Sequence, residues 1–132
     1  MKRIRVVALI AGLATDLIGT IIVSAAVTFA FVALRGASGQ RPEAILRTLA
    51  NDPLFLVIGY VGGIAFTLLG AYITARMSRP HSVFNTLVFG VISTLLIVFF
   101  ASMYPFWYNV LCVLTIIPVS LIPGYLLSRQ TV

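Results

Sequence analysis

Asp16 is an acidic residue inside an apolar run, Val6 to Leu34, that is long enough to cross a membrane. An ionised carboxylate at that depth costs at least ~2.5 kcal/mol on membrane-insertion scales. The apolar runs of this chain contain no Lys or Arg, so no ion pair at that depth is available within one chain. We therefore expect Asp16 to be a neutral acid that faces the interior of a helix bundle and hydrogen-bonds a hydroxyl such as Thr15 or Thr20.

Small and hydroxyl-bearing residues recur at every fourth position around this acid. Helical geometry places residues at such a spacing in one slowly drifting stripe, which here comprises Gly12, Asp16, Thr20, Ser24 and Thr28. In a functional interpretation, Asp16, Thr20 and Ser24 form a candidate proton or substrate site, because ionisable residues inside membranes often mark transport pathways. In a structural interpretation, Asp16 only fixes helix packing and register. Both interpretations remain open from the sequence.

Other chemistry has little support in the residue types. Cys112 is the single cysteine and His81 the single histidine. A zinc or haem site normally needs several such ligands, and a Ser–His–acid triad would depend on His81 alone. We therefore expect a protein that is not an enzyme and has no metal site and no cofactor.

The composition indicates an integral membrane protein. Of the 132 residues, 61% are hydrophobic and 9% are charged, whereas soluble domains carry charge on about a quarter of their residues. The net charge of +6 comes from basic residues scattered between apolar runs. Such a pattern offers no basic face for nucleic acid, and we expect these residues to contact anionic lipid headgroups instead.

Four apolar runs reach the ~20 residues that a helix needs to cross the hydrocarbon core. They are residues 6–34, 54–75, 83–103 and 106–127. Helices satisfy their own backbone hydrogen bonds, which lipid cannot do, so the predicted fold is an all-α, four-helix transmembrane bundle that forms one domain over residues 1–132. The first run exceeds the about 7–15 apolar residues of a signal peptide, and we expect it to be retained as a span.

The basic residues also predict an orientation, because cytoplasmic loops carry the excess of Lys and Arg. With both termini in the cytoplasm, that side holds six basic residues and the opposite side three. The six are Lys2, Arg3, Arg5, Arg76, Arg79 and Arg129, and the three are Arg35, Arg41 and Arg47. An aromatic belt is predicted at the opposite interface, formed by Phe55, Tyr60, Tyr104, Phe106, Trp107 and Tyr108.

The long first loop predicts a short helix. Pro42 suits a first helical turn, and the following residues to Ala50 place apolar side chains on one side. We expect this helix to lie on the outer membrane surface. Asp52 and Pro53 are then predicted as the N-cap and first residue of the second span.

Glycines and prolines predict details of packing inside the bundle. Small residues at four-residue spacing let helix backbones approach closely, and we assign this role to Gly12, Gly59, Gly63, Gly70 and Gly90. In the fourth span, Pro118 and Pro123 each free a backbone carbonyl one turn earlier and predict a bend. Thr115 and Ser120 are near enough to compensate for the freed carbonyls of Leu114 and Val119.

Two stretches resemble known membrane proteins. Residues 15–20, TDLIGT, are similar to the first-helix signature of the small multidrug resistance transporters, which implies a proton and drug site at Asp16. The similarity covers six residues, and that family has glutamate at the acid and a short first loop. Residues 70–76, GAYITAR, followed by a basic turn and NTLVFG at 85–90, resemble uncharacterised four-span bacterial membrane proteins. This second resemblance implies a multi-pass protein of the bacterial inner membrane.

Two functions are compatible with these features. The first is a membrane protein without catalytic activity that acts as a homo-oligomer or as a small accessory subunit of a membrane assembly. The alternative is a small proton-coupled transporter or ion-conducting oligomer that uses Asp16. Because four helices leave little room for a cavity, the alternative predicts at least a dimer, with Asp16 near the shared interface.

Overall fold

The computed structural model describes residues 4–35 and 39–129, in which five α-helices form and no strand occurs. The helices are α1 (Val6–Arg35), α2 (Pro42–Ala50), α3 (Pro53–Met77), α4 (Ser82–Phe99) and α5 (Phe106–Arg129). Four of them, α1, α3, α4 and α5, are long and apolar enough to cross a membrane. The predicted all-helical, multi-pass class is therefore confirmed, whereas Lys2 and Arg3, which contribute to the predicted orientation, lie outside the described residues.

The loop before the second long helix forms as predicted. The short helix α2 spans Pro42–Ala50, and Leu49 is its buried residue. Asp52 caps α3, because its Oδ1 accepts hydrogen bonds from the backbone N–H groups of Leu54 and Phe55 at 3.0 and 3.2 Å. This cap and Pro53 together fix the start of α3.

The third predicted span is longer than the helix that forms. The prediction extends to Met103, but α4 ends at Phe99 and a single 3₁₀ turn spans Ala101–Met103. The side-chain amide of Asn109 donates to the carbonyls of Ala101 and Tyr104 at 2.8 and 3.1 Å. These bonds satisfy backbone groups that the end of a helix would otherwise leave without partners.

Helix α3 is the centre of the bundle. It packs along α1 and also contacts α4 and α5, which pack against each other. Two ends of the bundle are distinguished here by their side chains. The basic end carries Arg5, Arg76, Arg79 and Arg129, and the aromatic end carries Tyr60, Tyr104, Phe106, Trp107 and Tyr108.

The half of the bundle next to the basic end is closely packed and polar inside. Six polar side chains there are at most 1% exposed, namely Thr74, Ser78, Ser82, Asn85, Thr86 and Ser120. Several of them join different helices: Thr74 donates to the carbonyl of Ala8 at 3.3 Å, and Ser82 donates to that of Gly124 at 3.1 Å. Hydrogen bonds between helices and close backbone approach hold membrane bundles together.

Helix α5 continues through Pro118 and Pro123, so the predicted bend remains a prediction. The hydroxyls of Thr115 and Ser120 do not bond the carbonyls that were predicted for them, those of Leu114 and Val119. Thr115 donates to the carbonyls of Leu111 and Cys112 at 2.8 and 3.2 Å, and Ser120 donates to that of Ile117 at 2.9 Å. In a helix, a Ser or Thr hydroxyl reaches back to the carbonyl three or four residues earlier. Leu114 lies only one residue before Thr115, and Val119 only one residue before Ser120.

Candidate functional site

Asp16 is 8% exposed and lies where α1, α3 and α4 meet. Its Oδ1 accepts a hydrogen bond from Thr67 of α3 at 3.1 Å, and its Oδ2 accepts one from Ser93 of α4 at 3.2 Å. The predicted partner Thr15 instead donates to the carbonyl of Ala11 at 2.8 Å in its own helix. The acid therefore ties three helices together through hydroxyls.

These partners suit an acid that changes its protonation state. A hydroxyl both donates and accepts, and it can rotate about its C–O bond. Towards an ionised Asp16, Thr67 and Ser93 donate; towards a protonated Asp16, one of the two can turn and accept the carboxyl proton. The site thus keeps its hydrogen bonds in both states, which an ion pair with a fixed cation would not allow.

A cavity of about 230 Å³ extends from Asp16 towards the aromatic end. Thr67 and Ser93 lie at its inner end, while Phe55 and Tyr104 lie at the other. Phe55 and Thr67 are twelve residues apart on α3, which gives the cavity a length of ~18 Å. Phe100 is 47% exposed and Tyr104 36% exposed, so the cavity reaches the surface at the aromatic end.

Asp16 is the single charged residue among the described residues that line this cavity. The other lining groups are uncharged: they are apolar or aromatic side chains, hydroxyls such as those of Thr20 and Ser24, the amide of Asn109 and the thiol of Cys112. An acid surrounded by apolar walls attracts a proton or a cation, because a nearby positive charge offsets the cost of holding a carboxylate away from water. The same walls disfavour an anion.

The predicted site residues are brought together only in part. Asp16, Thr20 and Ser24 all line the cavity, but the hydroxyls that bond Asp16 come from other helices. Thr28 does not line it; together with Thr20 and Ser24 it borders a second, shallow groove on α1. The stripe therefore faces the cavity at one end and the outside of the bundle at the other.

The five glycines assigned to packing divide into two groups. Gly12, Gly70 and Gly90 lie at close helix contacts, where an added Cβ would overlap a neighbouring helix. At Gly63, by contrast, an added Cβ would meet nothing within 4 Å, and at Gly59 only the hydroxyl of Tyr108, at 3.8 Å. Both line the cavity and border open space, so no close contact within the described residues supports the packing role predicted for Gly59 and Gly63.

An aromatic cluster surrounds the outer part of the cavity. Tyr108 is its centre, with ring centroids 6.4 Å from Tyr60, 5.3 Å from Tyr104 and 5.9 Å from Trp107. Cys112, one turn further into α5, also lines the cavity and is 9% exposed. Within the described residues, no three His, Cys, Asp or Glu side chains lie together as a metal site would require.

Two members of this site escaped the sequence prediction. The prediction named hydroxyl partners for Asp16 only in its own helix, at Thr15 and Thr20, whereas Thr67 belongs to α3 and Ser93 to α4. The hydroxyl of Thr94 donates to the carbonyl of Gly90 at 2.8 Å in its own helix, which leaves Ser93 facing Asp16. A spacing of three residues after Gly90, as common on a helix face as four, would have found it.

Comparison with protein-family models, with curated proteins and with solved structures finds no significant match to this chain.

Proposed function

We propose that this chain is a small proton-coupled transporter whose proton site is Asp16. The observation that supports this proposal best is the position of the acid at the closed end of a cavity, hydrogen-bonded by Thr67 and Ser93. A cation that enters the cavity favours the ionised acid, and a proton that binds the acid favours release of the cation. Competition for one carboxyl is the simplest way to couple the two.

The cavity forms within one chain, whereas the sequence interpretation required a dimer to provide it. Transport also needs the site to become accessible from the basic end. Hydrogen bonds such as those from Thr74 to Ala8 and from Ser82 to Gly124 close that end in this structure. In the proposed function they break and reform as the accessible side alternates.

The proposed setting is the bacterial inner membrane. The basic end faces the cytoplasm, where Arg76 and Arg79 contact anionic headgroups, and both termini are on that side. Helix α2 lies on the opposite membrane surface. Its exposed Glu43, Leu46 and Arg47 suit an interface between water and lipid.

The first prediction tests the proton site with the substitution Asp16→Asn, which keeps the shape of the side chain and removes its titration. In proteoliposomes with an imposed pH gradient, we expect the parent to take up tetramethylammonium, a permanently charged cation, and to move protons the other way. Asp16→Asn should abolish both fluxes. Uptake of the labelled cation and a trapped pH dye measure them.

The matched control is Asp52→Asn, the same chemical change at a residue outside the cavity. Asparagine also caps helices well, so this variant should fold and transport as the parent does. Equal proton flux in the parent and in Asp16→Asn would contradict the proposal. So would the absence of flux from a correctly assembled parent across a panel of small cations.

A second candidate function is assembly with another membrane protein or with a second copy of the chain, in which Asp16 is a packing residue. The groove on α1 that includes Thr20, Ser24 and Thr28 supports it, because this groove is open to the outside of the bundle and hydroxyls along it can hydrogen-bond a partner helix. Cysteines introduced at Thr28 should then crosslink between chains in native membranes. A strictly monomeric protein after mild crosslinking would exclude this function.

A further inference from the structure

The cavity depends on two positions of α3 that have no side chain. Gly63 lies four residues from Thr67 and Gly59 lies eight residues from it, which places them ~6 and ~12 Å towards the aromatic end from the partner of Asp16. Both line the route from the surface to the acid. A side chain at either position would occupy space that is now open.

Helix contacts do not account for these glycines. Next to them, Gly62 needs its lack of a side chain, because an added Cβ would lie 2.7 Å from Val23 of α1. Gly70 needs it too, with the backbone carbonyl of Gly12 2.6 Å away. Gly63 meets no such neighbour, and glycine is a poor helix residue compared with alanine. At Gly63, the absence of a side chain therefore leaves open space that a ligand can occupy.

We infer that Gly59 and Gly63 determine which ligands reach Asp16, and that they admit small organic molecules of about the size of one substituted ring. This inference rests on the proposed function, since it concerns the ligand of the same site. The size follows from the volume: an apolar cavity of about 150 Å³ accommodates benzene, and this one measures about 230 Å³. The additional space allows a few more atoms but not a second ring system.

The test measures access to the inner end of the cavity with thiol reagents of two sizes. In a Cys112→Ser background, Ser93→Cys places the only thiol beside Asp16. Methyl methanethiosulfonate and benzyl methanethiosulfonate, both neutral, report access for a small and for a ring-sized molecule. In the parent background we expect both reagents to modify position 93.

Gly63→Leu should then slow benzyl modification at position 93 by about tenfold or more, and methyl modification far less, because the new side chain fills the passage. Ala65→Leu is the matched control: it adds a leucine on the exposed face of the same helix and should change neither rate. If Gly63→Leu fails to assemble, Gly63→Ala should still slow the benzyl reagent more than the methyl one. That methyl group has nothing within 4 Å, so the fold tolerates it.

Equal slowing of both reagents by Gly63→Leu, or no slowing, would overturn the inference. A separate Gly63→Leu variant that keeps Ser93 and the native Cys112 distinguishes a narrowed passage from a collapsed cavity, because Cys112 lines the outer part of the cavity. Modification of Cys112 should persist in this variant. These rates do not depend on flux. A size-dependent effect together with absent transport would therefore overturn the proposed function and leave the size limit in place.

Discussion

At the scale of single residues, the main question is how an acid is tolerated inside a membrane bundle. Asp16 meets only hydroxyls among its described hydrogen-bond partners, Thr67 and Ser93. Hydrogen bonds of this kind inside membranes contribute about 0.6 kcal/mol on average and up to about 1.7 kcal/mol. The acid therefore adds little stability for the cost of burying it, which favours a functional reason for its presence.

The prediction at this scale is a small coupling energy between Asp16 and Thr67. Thr67→Val keeps the shape of the side chain and removes the hydroxyl, so it should lower the free energy of unfolding by about 0.6–1.7 kcal/mol. In an Asp16→Leu background the same change should cost less, because its partner is already absent. Unfolding titrations in mixed detergent give both values, and an unchanged cost in the two backgrounds would show that the hydrogen bond has no stabilising role.

At the scale of helices, α3 combines two different surfaces on one element. Towards the basic end, Gly70 lies against α1, and a Cβ added to it would be 2.6 Å from the carbonyl oxygen of Gly12 and 3.1 Å from the ring of Phe89. Towards the aromatic end, Gly63 faces open space. The same residue type thus has opposite consequences seven positions apart.

The prediction for α3 compares two identical substitutions. Gly70→Ala should lower the free energy of unfolding by about 1–3 kcal/mol, because a backbone carbonyl cannot move away from the new methyl group. Gly63→Ala should raise it by up to about 0.5–1 kcal/mol, because alanine favours the helix and the space is free. Thermal unfolding of the two variants in one detergent measures the difference. Equal effects would contradict the asymmetry of the bundle.

The sequence predicts the helices better than it predicts their contacts. Long apolar runs give the four long helices, and Pro42 and Asp52 give the start of α2 and the cap of α3, because these signals are local. The cavity depends instead on which faces of four helices meet. The sequence does not distinguish a glycine at a close helix contact from a glycine beside open space. This is why Gly63 was assigned to packing and why Ser93 was missed.

At the scale of the whole molecule, the bundle is closed at one end and open at the other. Buried polar side chains such as Asn85 and Thr86 seal the basic half. In the other half the cavity reaches the surface beside Tyr104. Asp16 lies at the boundary between the two halves, which is where a transporter needs the group that both sides reach in turn.

The prediction at this scale concerns the side of the membrane that the cavity faces. In a Cys112→Ser background, Arg79→Cys marks the basic end and Phe106→Cys, at a residue 84% exposed, marks the aromatic end. Because positive residues stay in the cytoplasm, a membrane-impermeant maleimide added to intact cells should label position 106 and leave position 79 unlabelled until the cells are opened. Labelling of position 79 in intact cells would show the opposite orientation, in which the cavity opens towards the cytoplasm. The direction of the proposed exchange is set by the proton gradient and not by the orientation of the protein, so this measurement decides from which side of the membrane a ligand reaches Asp16 through the cavity.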